Sequence, residues 1–540
     1  MDTALEDYRN VAGTLPGQHR VWRLTGPGLS DLDPPGTEPL PVPGPDELLV
    51  RHDAVGICFS DVKVARLGLD HPRIRRFPIV PGHEVTLTVA AVGPALSDAY
   101  AAGDRFIVQA DMIIDDVARA YGHDLTGGLA QYTVLAPEVL PYLVPVRGGT
   151  GYAEAALAEP WACVEAAYSA SYRTTWRAGG TVWLTGDGAG VTLGAAADWR
   201  PRLVHLDVRD ARFADLVGVW AAEAGVEVTT GPPDSAVDDV VVLGPEPELV
   251  ERALAVLAPG GTCALVTAEP LPRRVQVDVG RLHYDGLALL GTSGDDLATA
   301  YAPIRTDLAP GGRLWVLGAG GPLGRMHVQR ALERADGPAD IVATDRSGRA
   351  ATTFGDDPPA ALTFLAERDD PAALAKRLRT VTGGHGFDDI AVMAPSVRAI
   401  ESAFDQLADG GVINLFAGLP RGTMCEWEVG AIARRGVRVV GTSGSSVAHL
   451  RRVRDRIESG ELHPNRSVSA VAGLDAAPDA LRAVAEGRFA GKVVIFPNLR
   501  GPLPLTTLAE LATAFPEVAR QLDNGQWTLA AEQELLRGLL

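Results

Sequence analysis

RLWVLGAGGPLGRMHVQRALE, residues 313–333, decides the architecture. An apolar run, 314–317, gives way to a turn carrying Gly318, Gly320, Gly321 and Gly324, and the turn opens a stretch with helical spacing. Strand, glycine turn and helix in that order bring backbone N–H groups and a helix N-terminus up to a bound pyrophosphate. The next strand, DIVATDRSGRA (340–350), ends at Asp345, placed to accept hydrogen bonds from an adenosine ribose. That carboxylate favours NAD, while Arg346 and Arg349 keep NADP open, since an arginine there can pair with a 2′-phosphate. Strand and helix signals alternate from about 178 to 445, the pattern of a parallel βαβ sheet.

The stretch also exists in an upstream copy. Residues 237–261, VDDVVVLGPEPELVERALAVLAPGG, match 387–411, FDDIAVMAPSVRAIESAFDQLADGG, at an offset of 150. The same offset carries GTSG at 291–294 onto GTSG at 441–444. Farther upstream AGGTVWLTGDGAG (178–190) answers PGGRLWVLGAGG (310–321), at an offset of 132. Colinear matches of this kind indicate duplication. The first copy is degenerate. Its turn holds Gly186, Gly188 and Gly190, but Asp187 sets a carboxylate where a pyrophosphate would be repelled. Only 21 residues separate Gly186 from the acidic Asp207, against 27 from Gly318 to Asp345, so a short helix is predicted. The first copy reads as scaffold and the second as the cofactor holder.

Ahead of this region, residues 20–150 read as short strands broken by Pro and Gly, a small and mostly β unit. Two motifs punctuate it, Cys58-Phe59-Ser60-Asp61 after a strand and Gly82-His83-Glu84 after PIVPG, and a third, Ala158-Glu159-Pro160, comes before the α/β region. Thiolate, imidazole and carboxylate bind zinc, and a zinc site with three protein ligands keeps an open position that can polarise an alcohol or carbonyl oxygen. Asp61 is placed to orient His83, and Ser60 to pass an alcohol proton outward. A lone cysteine after a strand is usually a small buried hydrophobe. Three such motifs in order, followed by two glycine turns, point instead to a metal.

This combination resembles the medium-chain zinc alcohol and polyol dehydrogenases. The resemblance implies an α/β chain: a GroES-like, β-rich catalytic domain plus two tandem Rossmann-type parallel-sheet domains, the first degenerate. On that basis the expected units are 1–165 (catalytic), 166–300 (first copy), 301–445 (second copy), 446–500 (return to the catalytic domain) and 501–540 (helical tail). The resemblance also makes Cys58, His83 and Glu159 the zinc ligands, with Glu84 an occasional ligand and Cys163 ranked below Glu159. Many relatives carry a four-cysteine lobe for a structural zinc; the matching stretch here, ADMIIDDVARAYGHDLTGG (110–128), has no cysteine. One catalytic zinc and no structural zinc is the expectation. The position five after the ligand cysteine, often a proton-relaying histidine, is Lys63.

Lys63, together with LAEPWACVEAAY (157–168), GGHGFDDIAVMAP (383–395), INLFAGLP (413–420) and GTSG, resembles the L-sorbose 1-phosphate reductase-like zinc-binding dehydrogenases. The likeness covers roughly 45–165 and 310–497, and it implies interconversion of a secondary alcohol and a ketone on a polyol, sugar or sugar phosphate. Lys63, Arg73, Arg75 and Arg76 could meet a phosphate, although HPRIRR (71–76) also reads as a solvated loop. Two other readings stay open: a zinc-free enoyl or quinone reductase, and a non-catalytic sensing or scaffolding protein descended from a dehydrogenase.

The bulk properties narrow the partners. A net charge of −19 speaks against nucleic acid. No run of about 18 apolar residues offers a membrane span. MDTALEDYRN has no apolar core for a signal peptide, and four scattered cysteines suit a reducing cytoplasm. The tail from 501 has apolar residues at helical spacing and reads as one or two amphipathic helices. In the family, as the resemblance implies, the strand with a GTSG-like end lies at a sheet edge where subunits join. Both copies have one, GLALLGTSG (286–294) and GVRVVGTSG (436–444). The expectation is an intrachain pseudo-dimer of the two copies, with a homo-oligomer as the alternative.

Overall fold

Leu48–Ile57, ten residues with every position buried, is the spine of the first unit in the computed structural model, which describes residues 3–71, 73–346, 348–353, 358–366 and 371–540. The unit comprises residues 1–166, 321–326 and 444–540. Glu84–Val92 and Lys492–Phe496 flank the spine antiparallel to it, the latter pairing Val493 with Ile57. Val468–Gly473 lies parallel to Lys492–Phe496, and Tyr132–Leu135 pairs with the start of the spine. Within the spine Arg51 pairs with Asp53 at 2.7 Å and lies over the Tyr8 ring.

The tail beyond 500 belongs to this unit. Thr506–Thr507 adds a strand to Val468–Gly473, and the predicted one or two helices are three: Leu511–Ala514, Pro516–Ala519 and Leu529–Leu539. Proline begins the second of these because it cannot continue the first. Glu532, on the last helix, accepts hydrogen bonds from Tyr152 N (2.6 Å) and Ala153 N (2.7 Å). It thereby caps helix Tyr152–Ala156, whose own cap residue, Gly151, has no side chain.

The second unit, residues 167–320 and 327–443, is built on one twelve-stranded sheet. Its first half runs in the order 227–230, 203–208, 181–186, 237–243, 257–266, 288–292; the second half continues 438–441, 407–415, 387–392, 313–317, 340–345, 362–366. Numbered from its own first strand, each half has the order 3-2-1-4-5-6, that of a dinucleotide-binding sheet. Every pairing within a half is parallel; the joint between Ala288–Thr292 and Arg438–Gly441 is antiparallel.

The register at the joint is informative. Leu289 faces Val439, and in the small ribbon of Val275–Asp278 with Met424–Trp427, Gln276 faces Glu426. Both pairs are residues 150 apart, so each residue meets its own repeat equivalent, as it must on a twofold axis. The glycines nearby are reciprocal too: a Cβ on Gly291 would meet Ala433, and one on Gly441 would meet Leu282 and His283.

The first copy departs from expectation. Between Thr181–Gly186 and Leu203–Val208 there is no α-helix, only a 3₁₀ turn at Gly194–Asp198. Aromatic rings pack beneath that turn: Trp176–Trp199 at 5.2 Å, Trp176–Trp220 at 5.9 Å and Trp199–Tyr301 at 4.9 Å. Arg209 and Glu246 form an ion pair just beyond the C-terminal ends of the two strands that flank Thr181–Gly186. Among the described residues no helix is long and apolar enough to cross a membrane.

The joint makes a stability prediction. A methyl on Gly441 would lie 2.5 Å from Leu282 O, so Gly441→Ala should cost about 1–3 kcal/mol in urea unfolding by overpacking. Gly218→Ala, on the exposed side of helix Ala211–Ala224 with nothing near its Cβ, should instead be neutral or gain about 0.5–1 kcal/mol.

Candidate metal centre and cofactor turn

The spine strand delivers Cys58 to its end, where the chain turns into helix Phe59–Leu67. Asp61, in the first turn of that helix and almost fully buried, accepts from Cys58 N (2.9 Å) and Gly82 N (3.1 Å). Its Oδ1 also lies 3.0 Å from His83 Nδ1. One carboxylate therefore fixes both ligand-bearing loops and leaves the other His83 nitrogen free to act as a ligand. Burial alone would raise the Asp61 pKa, but His83 and the backbone donors outweigh it and hold the carboxyl below its usual value. Burial opposes charging His83, yet Asp61 and Cys58 outweigh that and raise it well above normal. A metal would displace that proton.

Ligand atoms of Cys58, His83 and Glu84 all lie within 4.8 Å of one another. Glu159 is not in this triplet. It stands close behind, almost buried near the start of helix Ala158–Tyr168, with Cys163 Sγ 3.8 Å from its Oε1. Burial, helped by Glu84 and Asp111, pushes Glu159 up to about 7 against His83 and Lys492. Burial first, then Glu159, keeps the Cys163 thiol well above its usual value. Ser60 Oγ is 3.7 Å from Cys58 Sγ, and Lys63 is half-buried on the same helix. Of the cationic loop, Arg73 is tied to Asp111, whereas Arg75 and Arg76 are exposed; Pro72 lies outside the described residues.

Sequence reasoning missed Lys492. It is buried and forms an ion pair with Glu84, because Lys492–Phe496 runs beside the end of the spine strand. Burial would lower the Lys492 pKa, but Cys58 and Glu84 hold it above its ordinary value. A charged residue opening the apolar run KVVIF was the available signal. Gly56 belongs to the site as well, since a Cβ there would come 2.2 Å from Glu84 Oε2. That oxygen is buried with no hydrogen-bond partner. An orphaned carboxylate oxygen beside a cysteine and a histidine is a donor set that fits zinc. His123 also lies here, its ring centre 5.6 Å from that of His83, and burial holds it down to about 3.

Arg313–Leu317 leads through Gly318 (φ +89°) into helix Pro322–Glu333. A Cβ on Gly318 would come 2.9 Å from Ala394 N, and one on Gly320 1.9 Å from Asp345 Oδ2. Those glycines admit the carboxylate and a close backbone turn, a cradle that fits a dinucleotide. Asp345 also accepts from Gly348 N (2.7 Å) and Ala350 N (3.2 Å), so it braces its own loop. Gly321 has free space at its Cβ, and Gly324 lies within the helix.

Residues 44–146 match the alcohol dehydrogenase GroES-like domain, and residues 363–495 the zinc-binding dehydrogenase model. The chain is 31% identical over 302 residues to mannitol-1-phosphate 5-dehydrogenase of Aliivibrio fischeri, covering 47% of this chain and 70% of that protein. It is 23% identical over 519 residues to L-sorbose 1-phosphate reductase of Klebsiella pneumoniae, covering 92% and 93%. Among solved structures, 2R,3R-butanediol dehydrogenase from Bacillus subtilis shares the fold, with TM-score 0.53, 15% identity and coverage of 89% of this chain and 100% of that one. Matching sequence over most of a related enzyme, together with a thiolate–imidazole–carboxylate cluster and a dinucleotide turn, fixes the assignment. The chain belongs to the zinc-binding, NAD(P)-linked dehydrogenases of the medium-chain alcohol and polyol dehydrogenase superfamily.

Proposed function

We propose that the protein interconverts a secondary alcohol and a ketone on a polyol or sugar phosphate, with hydride passing to or from NAD(P). The observation that carries this is the triplet of half-buried Cys58 with buried His83 and Glu84, one Glu84 oxygen being unpaired. The names of two relatives, a mannitol-1-phosphate dehydrogenase and an L-sorbose 1-phosphate reductase, support the substrate class.

Cys58 and His83 would hold zinc with one carboxylate, Glu159 or Glu84. The ion supplies polarisation of the reacting oxygen. Asp61 keeps the His83 ring oriented. Lys492 neutralises Glu84, so the two carboxylates can share one buried site. Ser60, beside Cys58, takes the substrate proton outward, and Lys63 replaces the usual relay histidine. Lys63, Arg75 and Arg76 are the cations available to a phosphate, Arg73 being engaged by Asp111.

Gly318, Gly320, Gly321, Gly324 and Asp345 hold the cofactor, while the first copy is scaffold. That division is supported by the missing helix, the aromatic filling and the Arg209–Glu246 pair in the first copy. The two copies act as an intrachain counterpart of a dimer, a reading supported by the 150-residue register at the joint.

Two measurements test this reading. Purified protein should contain about one zinc per chain, with Cys58→Ser and His83→Ala losing both metal and activity; full activity in metal-free protein overturns the mechanism. Gly321→Asp has room for its side chain but sets a negative charge at the pyrophosphate turn. It should weaken NAD(H) binding by about tenfold or more in fluorescence titrations. Gly188→Ala, in the first copy, should leave binding unchanged.

A further inference from the structure

The stretch that lacks structural-zinc cysteines is not idle. Its turn at 121–128 is clamped to 80–83 by Gly127 N to Val80 O (2.9 Å), Gly128 N to Gly82 O (2.7 Å) and Leu129 N to Pro81 O (3.0 Å). The approach is so close that only glycine fits. A Cβ on Gly122 would lie 2.8 Å from Gly82 O, and one on Gly127 2.5 Å from both Gly82 O and Pro81 O. Asp124 braces the turn by accepting from Ala120 N (2.7 Å) and pairing with Arg119.

The residue this apparatus presents is His123. Its ring lies beside two other imidazoles, 5.6 Å from His83 and 5.3 Å from His71 between ring centres. It is only 7% exposed, and neither ring nitrogen has a hydrogen-bond partner. Its neighbour Tyr121, in contrast, is satisfied by His52 at 2.7 Å. Burying a polar group unpaired costs about 1–3 kcal/mol, and such a cost is tolerated where a ligand later supplies the partner. A neutral imidazole offers one donor and one acceptor, and a hydroxyl offers both in return. With its ring centre 5.6 Å from that of His83, a residue of the metal cluster, His123 is near enough for a second hydroxyl of the same substrate to reach it.

We propose that His123 binds a second hydroxyl of the substrate, on the carbon next to the one oxidised or reduced, and so selects polyols over simple alcohols. The proposal rests on the dehydrogenase reading above. Its test compares His123→Phe, which keeps the ring volume, and His123→Asn, which keeps a donor and an acceptor, with wild type. D-mannitol, D-sorbitol and their 1-phosphates serve as polyols and 2-butanol as the simple alcohol, with zinc content and NAD(H) binding checked in each variant.

KM for the best polyol should rise about tenfold or more in His123→Phe, with partial recovery in His123→Asn. KM for 2-butanol should stay within about twofold, well short of one lost hydrogen bond. An unchanged polyol KM, or equal rises for both alcohol types, overturns the proposal. Polyol titration of the cobalt-substituted protein, followed by its visible absorption, gives the same comparison without turnover. If no alcohol is turned over, the dehydrogenase reading fails and the titration alone decides. A polyol response lost in His123→Phe then supports His123. A response equal in both proteins, or absent from wild type, overturns it.

Discussion

Asp61 accepts from the backbone of Cys58 and of Gly82 and from the ring of His83, and it does so from a fully buried position. Loops that begin 24 residues apart in sequence, at Cys58 and at Gly82, are thereby held in register by one side chain. Charge-assisted bonds of this kind are stronger than neutral ones, and a buried carboxylate left without them would be costly. The start of helix Phe59–Leu67, the turn at Gly82 and the His83 ring are all tied to that carboxylate. So does the site, because a thiol and an imidazole converge only while both loops are pinned.

Around this anchor the protein stores unusual charge. Glu159 interacts with both Glu84 and Asp111, and Lys492 alone among the lysines is buried, paired with Glu84. Unpaired, that many carboxylates in a dry site would be driven to bind protons, and burial already raises Glu159. A divalent cation is the natural complement to such a cluster.

The duplicated sheet is governed by a different constraint. An apolar edge strand must be covered. Here Leu289 and Val439 meet across the twofold, so each copy covers the other's edge. The first copy has a 3₁₀ turn over packed tryptophans where the second has a helix, and it keeps six strands. It also keeps the joint strand, the ribbon strand and the glycine at 291.

From sequence alone the alternating elements, the repeat at 150 residues, the glycine turn with its acidic partner and the Cys58–His83 motifs were all legible, because each is carried by local pattern or short spacing. The loss of the first-copy helix was only half legible: chain length registered the shortening, but the aromatic packing that replaced it joins residues from 176 to 301. Lys492 against Glu84, Glu532 capping Tyr152, and His123 beside His83 pair residues 408, 380 and 40 positions apart. No periodicity announces such pairs. They depend on which strands lie side by side and which glycines allow two backbones to touch. Sequence determined the elements and the chemical types available; tertiary structure decided which carboxylate faces the cysteine, since burial and charge pairing act through space rather than along the chain.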